Sequence, residues 1–232
     1  MTLPFDAIAK NAYAKFLSVS ISNSRLRDYY NTCFQQSIDH YGAYQCWACI
    51  NCLRLGNQTQ AWGKPPSKCP NCNSATVYEI ATFQARSSIV GNAFASAFSQ
   101  LMQTYFRLPL IPTPGNTRTH DFEVTSNIAI ETKGSPMSVT NPDGSLTLLG
   151  RPGMERSDTR KKAFENARTY RQRNAEGLFF VVSNAIPADL VGYRNRDVTA
   201  VFDATKVDRL NAMLLEIEDK IDLNIHRKRR GI

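Results

Sequence analysis

Asp121, Glu131 and Lys133 are the residues whose types and spacing could carry hydrolytic chemistry. They fall in His120-Asp121-Phe122-Glu123-Val124 and in Asn127-Ile128-Ala129-Ile130-Glu131-Thr132-Lys133-Gly134-Ser135, two strand-like segments joined through Thr125-Ser126. Side chains alternate along a strand, so Ile128, Ile130 and Thr132 share one face while Ala129, Glu131 and Lys133 share the other. A carboxylate and an ammonium then stand side by side at the end of a strand whose opposite face is apolar. Pairing with the preceding strand lets Asp121 approach Glu131, and Glu123 on the same face as Asp121 is a further candidate ligand. Two such carboxylates repel unless a cation sits between them. Mg²⁺ suits hard oxygen donors and keeps positions for water and a substrate phosphate. It can polarise the phosphate and lower the pKa of an attacking water. Lys133 could orient or deprotonate that water, or offset charge in the transition state.

A second set of residues points to a different metal. Cys49-Ile50-Asn51-Cys52 is followed, after sixteen residues, by Cys69-Pro70-Asn71-Cys72. Two Cys-x-x-Cys knuckles supply four soft thiolates that can close tetrahedrally on Zn²⁺. Cys46 makes Cys46-Trp47-Ala48-Cys49 an equally well spaced first knuckle, so Cys46 stands as the alternative to Cys52. Four cysteine ligands leave no position for water, which makes this zinc structural. Asn73 after the second knuckle tolerates a positive φ. Cys33, outside both pairs, reads as a core residue.

The chain has 232 residues and a formal net charge of +8, from 28 Lys and Arg against 20 Asp and Glu. A surplus of that sign favours a polyanionic partner, because each cation near a phosphate releases condensed counterions. Arg151, Arg156, Arg160, Lys161, Lys162, Arg168, Arg171 and Arg173 concentrate just after the acidic segments, and Arg151, Arg156, Arg160, Lys161 and Lys162 are the candidate DNA contacts. The basic stretch Arg227 to Arg230 suits non-specific phosphate contacts. His40, His120 and His226 have no metal-ligand spacing, and His120 reads as a packing residue at a strand end.

These groups need a scaffold. Phe5, Ile8, Ala12 and Phe16 have helical spacing, and residues 1–42 read as helical. Residues 43–76, rich in Cys, Gly and Pro, read as a zinc ribbon, and 77–232 as a core ending in a helix and basic tail. Thr82 to Leu108 carries Val90, Phe94, Ala97, Leu101 and Tyr105 along one helical face, and Pro109 ends it. Val139 to Leu149 reads as a hairpin around Asn141-Pro142-Asp143-Gly144. Ser157 or Asp158 could cap a helix to Asn174, with Ala163, Phe164, Ala167 and Tyr170 inward. Leu178 to Val182 suits a strand buried on both faces, and Val207 to Leu223 a last helix. The fold class is α/β, a mixed sheet flanked by helices with a small cysteine module. Met1 to Leu17 carries Asp6, Lys10 and Lys15 and so lacks the apolar core of a signal peptide; together with the lack of a membrane-length apolar run this predicts a soluble, cytoplasmic protein.

Asp121, nine residues, then Glu131-Thr132-Lys133 resembles the PD-(D/E)xK nuclease superfamily, whose signature is an acid at one strand end and acid-x-Lys on the next strand. Glu-Thr-Lys-Gly-Ser followed by a polar insertion is similar to several type II restriction endonucleases. The resemblance covers about Thr82 to Val182. It implies a restriction-endonuclease-like core, Asp121 and Glu131 as Mg²⁺ ligands, Lys133 as catalytic lysine and double-stranded DNA as substrate. It further implies site-specific cleavage, commonly by a two-fold homodimer whose symmetry matches a palindrome. Two departures stand out: His120 occupies the proline position, and the helix Thr82 to Arg107 has no acid where many relatives carry glutamate. Gln84, Gln100 or Glu79 could take that supporting role.

Overall fold

The computed structural model describes residues 4–42, 47–56, 66–79, 83–114, 117, 119–141 and 143–229; for Leu55, Glu79, 83–85 and 222–229 the side chains lie outside the description. The elements in chain order are α1 (Pro4–Phe16), α2 (Asn23–Tyr41), β1 (Trp47–Cys49), β2 (Leu55–Gly56), β3 (Val77–Glu79) and α3 (Phe83–Thr104). Then follow β4 (Ile111–Pro112), β5 (Phe122–Thr125), β6 (Ile128–Lys133), β7 (Ser138–Thr140) and β8 (Leu146–Leu148). After a short 3-10 turn come α4 (Ser157–Arg173), β9 (Leu178–Ser183), β10 (Ala200–Asp203) and α5 (Val207–Arg229).

The main sheet has five strands in the order β10-β9-β6-β5-β4. β6, β9 and β10 run parallel, while β5 is antiparallel to both β6 and β4. The sheet is therefore mixed, and β6 and β9 at its centre are covered on both faces. On one face Ile128, Ile130, Phe180, Val182 and Phe202 join a core with α1, α2, α3 and α5. On the other, Ala129, Phe179, Val181 and Val201 meet Ala163, Ala167 and Tyr170 of α4. This two-sided burial is why β9 reads as an unbroken apolar run. The Ala129–Glu131 face of β6 packs under α4, with Glu131 only 2% exposed.

Apolar spacing locates the helices well. Val90, Phe94, Ala97 and Leu101 of α3 are buried, whereas Tyr105 lies past the helix end and is 42% exposed. Arg107 adopts φ 59°, which turns the chain before Pro109. The N-terminus of α4 differs from expectation: neither Ser157 nor Asp158 caps it, because both lie inside the helix and Arg156 is the residue before its first turn. α5 is extended beyond Leu223 to Arg229, and Asn23 Oδ1 from the start of α2 accepts from Val207 N at 2.9 Å, capping it from a distance. No helix among the described residues is long and apolar enough to cross a membrane.

β1, β2 and β3 form a separate small sheet in the order β2-β1-β3. Since β3 pairs with β1, the cysteine module runs on past residue 76 to Glu79. Gly56 faces Trp47 across β1 and β2, and a Cβ there would enter the indole ring.

Candidate functional site

Cys49, Cys52, Cys69 and Cys72 converge, with all four sulfur atoms within 4.8 Å of one another. Zinc–thiolate bonds of about 2.3 Å in a tetrahedron require sulfurs about 3.8 Å apart. The Sγ pairs Cys49–Cys72 and Cys52–Cys69 lie at 3.6 Å each, so the cluster has the size that a structural metal such as zinc fits. The two knuckles repeat one backbone turn: Cys49 N donates to Arg54 O at 2.9 Å, and Cys69 N donates to Ser74 O at 2.8 Å. Leu53 and Asn73, each following a knuckle, take φ 57° and 55°, a conformation the Asn accepts more easily than the Leu. Asn51 Nδ2 lies 3.5 Å from Cys72 Sγ, and that bond, with one from the Ser74 backbone, draws the thiol down to about 6. These four complete a tetrahedral set, and Cys46 lies outside the described residues. Cys33 is buried at 1% exposure beside Tyr29, and burial pushes its thiol up to about 12.

The acidic residues meet at the ends of β5 and β6. Asp121 Oδ2 accepts from Thr132 N at 2.7 Å and from Thr132 Oγ1 at 2.6 Å, so the carboxylate stands where a backbone carbonyl would continue the ladder. Asp121 N also donates to Ile130 O, although Ile130 is the register partner of Phe122. The register of this strand pair also shifts between Glu123 and Thr125. Glu123 contacts His120 Nε2 at 3.2 Å, and His120 packs edge-on against Tyr170 and Phe179.

Glu131 is held from two sides: Lys133 Nζ donates to Oε1, and Asn166 Nδ2 of α4 donates to the same atom at 2.9 Å. Burial dominates its electrostatics, raising its pKa to about 7; Lys133 opposes that shift and the nearby Asp121 charge adds to it. Lys133 therefore contacts Glu131 directly, and the Asp121 charge lies near enough to help raise the pKa of Glu131. Among the described residues, Asp121 Oδ1 and Glu131 Oε2 accept no hydrogen bond.

Asp121, Thr132 and Lys133 line a groove of about 340 Å³ between the N-terminal half of α3, from Ser87 to Ala95, and the start of α4. Glu131 itself does not line it. From α3 it receives Ser87, Gly91 and Asn92, and from the α4 side Arg156 and Lys162. Of the basic candidates, then, Arg156 and Lys162 reach the groove and Arg151, Arg160 and Lys161 do not. Arg160 pairs with Asp189 at 3.0 Å, and Lys161 lies 3.9 Å from Glu165. Arg156 also makes a two-point contact with Asp158. Gln100 bonds Thr104 within α3 and does not line the groove, while the side chains of Gln84 and Glu79 lie outside the description.

The residues that sequence alone did not single out are those that brace the site. Gly134 has no room for a Cβ, which would enter the Phe94 ring of α3. Ser135 and Asn184 exchange two hydrogen bonds, of 3.1 and 2.9 Å, and Ser183 Oγ donates to Lys133 O at 2.5 Å. Asn166 carried a weak signal, its helical place between the inward Ala163 and Ala167. Compared with protein-family models, with curated proteins and with solved structures, the chain matches none.

Proposed function

We propose that the protein is a Mg²⁺-dependent endonuclease that hydrolyses DNA phosphodiesters at a defined sequence, with a restriction-endonuclease-like core of the PD-(D/E)xK type. The observation that supports this reading is the Glu131–Lys133 contact on β6, with Asp121 at the adjoining end of antiparallel β5, beside a groove lined by Asp121, Lys133, Arg156 and Lys162. The order of elements supports it: a helix before the acidic strands, α4 after them, then the buried parallel strand β9. So does the donor set, two hard carboxylates with one oxygen each left open and a buried Glu131 that resists ionising alone.

Asp121 and Glu131 would hold Mg²⁺, which when bound activates water and stabilises charge on the phosphate. Asn166 and Lys133 both fasten Glu131 Oε1 and so aim its other oxygen. The Lys133 ammonium, lining the groove, can steady a water for attack or offset the extra negative charge at phosphorus. Arg156 and Lys162 supply phosphate contacts at the mouth. Double-stranded DNA is the substrate in this reading, and a homodimer matches a palindromic site.

A non-catalytic zinc-ribbon DNA-binding protein is the rival reading, favoured by the hydrogen bonds that tie Asp121 to Thr132. Digestion of a plasmid of known sequence with Mg²⁺ separates the two. Discrete fragments with mapped ends support site-specific cleavage, a smear points to a repair or junction nuclease of the same superfamily, and intact plasmid rejects the nuclease.

A further inference from the structure

A larger cavity, of about 730 Å³, opens on the other side of the same loops. α2 forms one wall with Arg27 and Asn31, and the β7–β8 hairpin with its approach forms the other with Met137 and Thr140. Gln35 ties the walls together: its amide donates to Thr140 O at 2.9 Å and accepts from Thr140 N at 2.8 Å. The cleft is thus preformed rather than dependent on a ligand to shape it. Asn184 is its boundary with the active groove, since Asn184 lines the cleft while its amide is bonded to the main chain of Ser135, which lines the groove.

The two cavities differ in charge. The groove sets Lys133, Arg156 and Lys162 against Asp121 and Asp158, a surplus of cations. The cleft sets Arg27 against Asp28 and Glu155, a surplus of carboxylates, which disfavours a phosphate track. Its remaining lining offers donors, acceptors and two apolar faces, Phe16 and the exposed Met137. On the floor Tyr30 is 1% exposed, and its hydroxyl has no hydrogen-bond partner among the described residues. A buried hydroxyl left unpaired is costly unless a ligand meets it. A flat, neutral, hydrogen-bonding ligand satisfies all of these features.

We infer that this cleft receives one nucleobase, unstacked from the DNA strand whose phosphate occupies the neighbouring groove, and reads it through Tyr30 and Asn31. The assignment rests on the nuclease reading, because the groove is what would deliver the strand. Unstacking costs energy, which a preformed pocket with hydrogen-bonding groups can offset.

The test uses the full chain with duplexes carrying aminopurine at successive positions around the mapped cut, and Ca²⁺ in place of Mg²⁺ to leave the DNA intact. Aminopurine brightens when it leaves the stack. We expect a several-fold rise at one position. Asn31→Trp, an exposed helix position that would fill the cleft, should abolish the rise. Tyr30→Phe, which keeps the ring and its packing, should lower the rise by half or more and weaken discrimination at that base. A merely buried hydroxyl gives the opposite result for Tyr30→Phe, an unchanged or higher Tm and no effect on DNA. If the wild type cuts plasmid but no position brightens, or if both variants leave the rise intact, the cleft assignment is overturned and the nuclease stands. Plasmid left uncut under Mg²⁺ overturns both.

Discussion

The cysteine cluster and the carboxylate–lysine groove both gather charged ligands, but they resolve the electrostatic cost in different ways. In the cluster, four sulfurs lie within 4.8 Å of one another, the Asn71 N–H turns toward Cys69 Sγ, and both knuckles repeat the same turn. Such a site is closed, and a metal held there would keep a short segment folded. Beside the groove, Glu131 is buried against Lys133 and feels the Asp121 charge, with its pKa raised to about 7. Among the described residues, one oxygen on each acid accepts no hydrogen bond. A closed site spends its ligands on the metal, whereas an open one keeps unbalanced charge available for substrate, which is the usual mark of function.

Disrupting the closed site should have the largest effect. Cys69→Ser is expected to eliminate bound zinc, one equivalent per chain in the wild type by atomic absorption, and to unfold the two knuckles with β1, β2 and β3. Structural zinc contributes about 10–16 kcal/mol of apparent binding energy in small modules, so loss of the metal cannot be offset by the ribbon's own small core. A Cys69→Ser protein that keeps its zinc and fold would remove the distinction between the two regions.

Lys133→Ala should reduce Mg²⁺-dependent cleavage by about 10²–10⁴-fold while leaving DNA affinity and zinc content intact. Retained cleavage would show that Lys133 is only the partner of Glu131.

Gly134→Ala comes next. The added methyl must displace the Phe94 ring, and overpacking of this kind costs about 1–3 kcal/mol, read as a lower Tm. Because the same shift moves Lys133, cleavage should fall with it.

The smallest effect is on pH dependence. Glu131 in the folded protein has a pKa near 7, above its unfolded value of 4.5, so the folded state holds the proton more tightly. Stability linked to this group is full below pH 4.5, declines between 4.5 and 7, and is constant above that. Glu131→Gln should remove that slope in denaturant titrations. In the wild type, Mg²⁺ affinity should rise as pH passes 7, because the cation requires the ionised carboxylate.

Local regularities were legible in the chain. Cysteine spacing, the apolar period of α3 and α5, the unbroken run of β9 and the Asn141–Gly144 turn each depend on residues close in sequence. The strand β10 and the short β4 were not legible, since four and two residues with no distinctive period pair only because neighbours are present. The zinc ligands could be narrowed but not settled, because Cys46-x-x-Cys49 and Cys49-x-x-Cys52 are equivalent as spacings.

What the sequence determined by itself was the chemistry on offer: four thiolates in two knuckles, an acid followed by acid-x-Lys, and a basic segment after them. The tertiary structure alone decided how those groups are used. It put Glu131 under α4 rather than in solvent, bound its oxygen to Asn166, turned Asp121 toward Thr132 and brought only Arg156 and Lys162 of the named cations to the groove. The reason is that residue type and spacing are local properties, whereas burial and electrostatic cost depend on which distant elements pack against a side chain.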